Sequence, residues 1–363
     1  MTEKVLQFPL QKRLDWRPLI IGLEGPPGAG KTASALLLAE GIRRIRGGEI
    51  RVLDTEGGRA GKYVDEPIGR YPPVDFRFAL FDPPFRADRF MAAITELSAG
   101  DPPPACIIVD SISDEHNGEG GRLDWQKDEI RIRLERQNKQ PGYDWKEDWE
   151  GQLRVGQGAW EPSSTARKAL GRKMARSRVP LILTFRAEEK TKLIEKTNKK
   201  GRQVAEPTNV GWQPVAASDF VRHCDLLALL PVRSDGVPMW RGANVYEDFV
   251  IKLPEYFKAL NDGKPLSPAH GEFLGRWSKG EKVAQPEPKP EPDRQPASTG
   301  NNGNNGNAEL ADRRRKLLDT ARAKAREGKG MFNLWWHDLT QAEQDIVLTI
   351  EGELRQIGEA TAA

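Results

Sequence analysis

Two cysteines and four histidines in 363 residues leave little material for a disulfide framework or a metal centre built on thiolate and imidazole. Cys106 and Cys224 each lie in an apolar, strand-like stretch and share no metal-ligand spacing, which predicts buried thiols. No apolar run approaches the roughly 18 residues of a membrane helix. The stretch MTEKVLQFPLQKRLDW also lacks the uninterrupted apolar segment of a signal peptide, so the expectation is a cytoplasmic chain with no membrane partner. An excess of one sign of charge is missing too. The formal net charge is +3, and contact with a polyanion therefore has to come from local basic patches.

Hydrophobic residues make up 37% of the chain, enough for a substantial core, while 30% charged residues imply much solvated surface. The stretch KGEKVAQPEPKPEPDRQPASTGNNGNNGNA cannot bury apolar area and reads as a flexible linker over residues 279–308, stiffer in its proline-rich half. It separates a body, 1–278, from a module, 309–363. Within the module, ELADRRRKLLDTARAKAREG and LTQAEQDIVLTIEGELRQIG carry apolar residues at helical spacing, which predicts a small helical unit. Phe332, Trp335 and Trp336 lie between those helices and fit either its core or an exposed anchor.

In the body, the strand-like runs PLIIGLE, EIRVLD, ACIIVD and VPLILTF alternate with helical stretches. That alternation predicts an α/β fold with a mainly parallel sheet flanked by helices. KLIEKTNKKGRQVAEP reads as a hairpin turning at residues 198–201, and CDLLALLPV as a further strand.

The sequence GPPGAGKT follows the first strand and opens an Ala/Leu-rich helix, matching the phosphate-loop spacing in the required context. Gly25, Pro26, Pro27, Gly28, Ala29, Gly30, Lys31, Thr32 and Ala33 are the candidate nucleotide-binding residues. Glycines let backbone N–H groups turn toward phosphate, the helix N-terminus adds its dipole, Lys31 reaches the β and γ phosphates, and Thr32 ligates Mg²⁺. A second oxygen ligand is expected at the end of an apolar strand, and ACIIVDS offers Asp110. The next residue is Ser111, so a water-activating glutamate has to come from elsewhere. If EIRVLD lies beside the phosphate-loop strand, Glu56 in VLDTEGG projects at the carboxyl edge of the sheet, where open α/β sheets hold ligands. There it could take a proton from an attacking water; a chain-reversing turn explains the same residues equally well.

GPPGAGKT, VLDTEGG and IIVDS together resemble the RecA-like P-loop ATPase core. DSISDEHNGEGGRLDWQ, AWEPSSTARKALGRKMARSRVPLILTFRAEEK and KLPEYFKALNDGKPLSPAHGEFLGRW look like bacteriophage and prophage ATP-binding proteins with that core. The resemblance implies ATP and Mg²⁺ as ligands, Glu56 as catalytic base with Glu115 as second candidate, and a role in DNA recombination or replication. It also implies the cytoplasm of a bacterial host, a homo-oligomer, and a recombination or replication protein as partner of the C-terminal module. GKGMFNLWWHDLTQAEQDIVL is similar to the C-terminal helices of phage annealing proteins. An adaptor or loader that binds ATP with little turnover is the alternative.

RecA-like proteins place a polar amide at the end of the VPLILTF strand, where this chain has Arg186. Contact with phosphate, in its own or a neighbouring site, and an ion pair with Glu188 or Glu189 both fit that residue. The hairpin residues Lys190, Lys192, Lys196, Lys199, Lys200 and Arg202 form a candidate contact for single-stranded DNA, or simply a solvated tip. Trp125, Trp145, Trp149 and Trp160 are expected mostly in the core.

Overall fold

The computed structural model describes residues 16–197, 203–216, 218–241, 250–281 and 283, together with 317–318, 320–326 and 347. The chain divides into two units, Met1–Glu287 and Pro288–Ala363, with the boundary inside the expected linker. In the second unit, residues 320–326 are helical and Ala321 and Ala325 are buried. Phe332, Trp335 and Trp336 lie outside the described residues.

The first unit contains strands β1 (Ile20–Gly25), β2 (Ile50–Asp54), β3 (Arg77–Leu80), β4 (Cys106–Asp110), β5 (Leu181–Thr197), β6 (Gln203–Pro214) and β7 (Leu226–Leu229). They form one seven-stranded sheet in the order β3-β2-β4-β5-β1-β7, parallel throughout, with β6 running antiparallel along β5. Its helices are α1 (Lys31–Arg46), α2 (Ala87–Leu97), α3 (Asp114–Asn117), α4 (Arg122–Gln137), α5 (Trp149–Gly156), α6 (Glu161–Ala175), α7 (Ser218–His223) and α8 (Pro268–Ser278). Among the described residues no helix is long and apolar enough to cross a membrane.

Successive strand residues point to opposite faces, so a sheet covered on both sides needs apolar residues at nearly every position. The central strands meet that demand. Ile21, Val52, Ile108 and Ile182 join one core layer with Leu36 and Leu38 of α1 and Leu274 of α8. Their neighbours Ile20, Leu53, Ile107 and Leu183 join the other, with Phe90 of α2, Leu170 of α6 and Phe220 of α7. Cys106 and Cys224 are buried free thiols in these layers, and burial pushes Cys106 up to about 12.

The expectation that EIRVLD lies beside the phosphate-loop strand is wrong: β4 and β5 stand between β2 and β1. Central parallel strands are apolar on both faces, so their residues carry no mark of which neighbour they pair with. The tryptophans depart from expectation in part, although Trp145 packs against the buried cluster of Ile130, Leu134, Val155 and Ala159. Trp125, Trp145 and Trp160 are half-buried and Trp149 is exposed. The guanidinium of Arg86 lies 4.7 Å from the Trp125 ring centre and that of Arg122 lies 4.6 Å from Trp160, so these rings cover cations at the surface.

Helix α8 starts at Ser267, which forms a capping box with His270, and Pro268 occupies its first turn. It presses closely on α1. A Cβ added at Gly41 would sit 1.9 Å from the Pro268 carbonyl oxygen and 2.6 Å from the Glu272 nitrogen. Gly41→Ala therefore has to separate two backbones and is expected to lower stability by at least about 1–3 kcal/mol. Gly156→Ala, at a helical position with no neighbour within 4 Å of the added carbon, is expected to be neutral or slightly stabilising. Denaturant melts of both variants check the contrast; equal midpoints would remove the close approach as the reason for glycine.

Candidate functional site

Strand β1 is buried at all six positions and runs into the loop before α1. Gly28 and Gly30 in that loop have φ of +78° and +83°, and a Cβ at either would meet no atom within 4 Å. Glycine is needed there for its left-handed backbone, and the space beside the loop is open. Lys31, the first residue of α1, donates from Nζ to the carbonyl oxygens of Gly25 and Pro26, both at 2.9 Å. Burial pushes its pKa below the ordinary 10.5, opposed by the charges of Asp110 and Glu56, while Arg186 and Arg59 add to the lowering. Asp110, Glu56, Arg186 and Arg59 are thus close enough to act electrostatically on one lysine. Parallel strands all end at the same edge, which explains why residues after β2, β4 and β5 meet without β2 touching β1.

The Thr32 hydroxyl donates to Asp110 Oδ2 at 2.6 Å, and the Thr184 hydroxyl on β5 donates to Oδ1. A hydroxyl and a carboxylate side by side form the oxygen donor set that suits a hard divalent cation, and Thr32 and Asp110 would hold it. Thr184 orients the carboxylate from behind. It stands out in PLILTF as a polar residue in a buried strand.

The two carboxylates of VLDTEGG have different surroundings. Asp54 is buried and accepts from the backbone N–H groups of Glu56 at 2.7 Å, Gly58 at 3.3 Å and Ala60 at 2.8 Å. It holds the loop, so the turn explanation fits Asp54. Glu56 remains partly exposed and pairs with Arg59 Nη1 at 3.0 Å. Between them, Thr55 donates to Asp114 Oδ2 at 2.6 Å and accepts from the Ser111 N–H at 2.8 Å, linking the loop to the segment after β4.

Arg186 pairs with Asp114 Oδ1 at 2.8 Å and donates to Asn117 Oδ1 at 2.7 Å, so its ion-pair partner is Asp114 and neither Glu188 nor Glu189. The register explains this: Gly25 on β1 lies opposite Arg186, turning its side chain toward α3 at the edge, whereas the next residues enter the hairpin. Glu115 is also elsewhere than expected. Its carboxylate is buried against Arg167 of α6, which donates from Nε to Oε1 at 3.1 Å and from Nη2 to Oε2. Burial pushes the Glu115 carboxyl above its ordinary 4.5 against the pull of Arg167. Next to it, burial and then the Arg167 charge lower His116 to about 4.

Strands β5 and β6 pair out to Thr197 and Gln203, as the hairpin reading expected. Lys190, Lys192 and Lys196 lie on β5, and the charge of Lys190 is felt at His116. Lys199, Lys200 and Arg202 fall outside the described residues. Comparison with protein-family models finds none that matches this chain, and comparison with curated proteins finds no significant match.

Proposed function

We propose that the first unit is a Mg²⁺-dependent ATP-binding protein and ATPase with a RecA-like P-loop core, of the bacteriophage type, working on single-stranded DNA in recombination or replication. One observation carries this reading. Lys31 and the Thr32–Asp110 pair follow a left-handed glycine loop at the carboxyl edge of the sheet, and Glu56 lies near enough for its charge to act on Lys31. In the reaction, the loop N–H groups and the N-terminus of α1 bind phosphate oxygens, and Lys31 leaves the Gly25 and Pro26 carbonyls to reach them. Thr32 and Asp110 would hold Mg²⁺, which would supply neutralisation of phosphate charge. Glu56 orients a water and takes its proton. Arg186, held by Asp114, places a second positive charge on the same side as Lys31. ATP in preference to GTP, the homo-oligomer and a partner for the C-terminal module rest on the family resemblance.

The Glu56–Arg59 pair favours a second reading, an ATP-gated adaptor with little turnover, because a carboxylate whose oxygen is engaged by a guanidinium is less free to hold a water. Steady-state ATP hydrolysis with Mg²⁺, titrated with single-stranded DNA, separates the two. Turnover stimulated by DNA and lost in Lys31→Ala is the expected result. Tight ATP binding with negligible hydrolysis, with or without DNA, would replace the ATPase by the adaptor.

A further inference from the structure

A groove of about 840 Å³ opens at the amino edge of the sheet, away from the glycine loop. It lies where α1, α2 and α6 end and where β1, β4 and β5 begin. Arg46, Arg172, Lys173, Arg176 and Arg178 line it together with Trp16, and among the described residues no carboxylate does.

Basic residues at helix C-termini complement the helix dipole, which accounts for some of this charge. It does not account for its excess. Arg43 and Arg44 at the end of α1 are neutralised by Glu40. Within the groove, by contrast, Arg46 donates to the Ser278 hydroxyl and the Arg178 carbonyl, both at 3.1 Å, while its buried Nε has no partner. Arg172, Arg176 and Arg178 are exposed and form no ion pair among the described residues. The Arg178 guanidinium lies 5.5 Å from the Trp16 ring centre, placing an aromatic face among the cations.

From these features we infer that the groove binds a single nucleic-acid strand, its phosphodiester backbone running along Arg172, Arg176 and Arg178 and a base stacking near Trp16. A cluster of cations beside an aromatic ring suits a strand that offers both phosphate and ring faces. An acidic protein surface would leave the ring without a role. This site is separate from the nucleotide edge and from the β5–β6 hairpin, and it does not rest on the ATPase reading.

The test is fluorescence anisotropy of a labelled oligothymidylate, without nucleotide, over a salt series. The triple variant Arg172→Ala, Arg176→Ala, Arg178→Ala is expected to bind about tenfold or more weakly near 0.1 M salt, with a salt slope shallower by roughly two, as loss of three single-strand phosphate contacts predicts. Trp16→Ala is expected to weaken binding with the slope unchanged. Lys190→Glu with Lys192→Glu is expected to leave the share of affinity carried by the groove. Unaltered affinity and slope in the triple variant, at an unchanged melting temperature, would overturn the proposal. So would tripolyphosphate binding as tightly as the oligonucleotide, or retention of the triple-sensitive binding on anionic phosphatidylserine vesicles alone. Hydrolysis by the triple variant in the absence of DNA is expected to match the parent, so failure here leaves the nucleotide site untouched.

Discussion

Replacing Glu56 by Gln is expected to lower kcat for ATP hydrolysis by about 10²–10⁴-fold, the usual worth of a positioned general base, while nucleotide affinity stays within a few-fold. Gln keeps the size of the side chain, and its carbonyl oxygen can still accept from Arg59, so the loop is retained. Only the proton acceptor is lost. Asp54, which fixes the loop through three backbone N–H groups, and Thr55, which ties it to Asp114, remain in place. Turnover of Glu56→Gln within a few-fold of the parent would dismiss the residue as base. Glu115 would not then inherit the role, because both of its oxygens are committed to a buried guanidinium.

The second large effect is expected at that buried pair. Arg167→Ala removes the partner of a carboxylate that has almost no access to water, and leaving such a charge uncompensated costs about 3–5 kcal/mol. The loss should depend on pH in a defined direction. Without Arg167, the desolvation that already raises Glu115 is opposed only by the charge of Arg122, and its folded pKa rises further. A raised folded pKa means that the native state binds more protons than the unfolded one, so stability falls as pH climbs above the ordinary 4.5. The deficit of Arg167→Ala should therefore be greatest near neutrality and shrink as pH falls toward 4.5. Denaturant melts across pH read it directly. Adding Glu115→Gln should restore part of the neutral-pH loss, and a deficit that ignores pH would show that packing against Phe220, whose ring lies 5.4 Å from the guanidinium, is the real contribution of Arg167.

Several local features were legible from residues alone. GPPGAGKT puts glycines where the loop before a helix takes a left-handed backbone, and the runs IIGLE, IRVLD and CIIVD announce parallel strands covered on both sides. The edge strand β3, RFAL, carried no such signal, since one strand edge and much of its surface are left outside the core. Thr184 and Asp114 were hidden for another reason. Each matters through a partner more than 70 residues away in sequence or across the loop after β4: Asp110 for Thr184, and Arg186 for Asp114.

The sequence by itself determined the central strands and their two-sided burial, the glycine loop before α1 and the set of polar residues at strand ends, because each follows from backbone sterics or from local apolar periodicity. Tertiary structure alone decided the strand order, which separates β2 from β1, the division of labour between Asp54 and Glu56, the pairing of Arg186 with Asp114, and the withdrawal of Glu115 to Arg167. It also brought Trp16 and Arg46 beside Arg172, Lys173, Arg176 and Arg178, which follow one another at the end of α6, to form one groove. Contacts of that kind depend on where a parallel sheet brings its edges together, and no local pattern of residues records that distance.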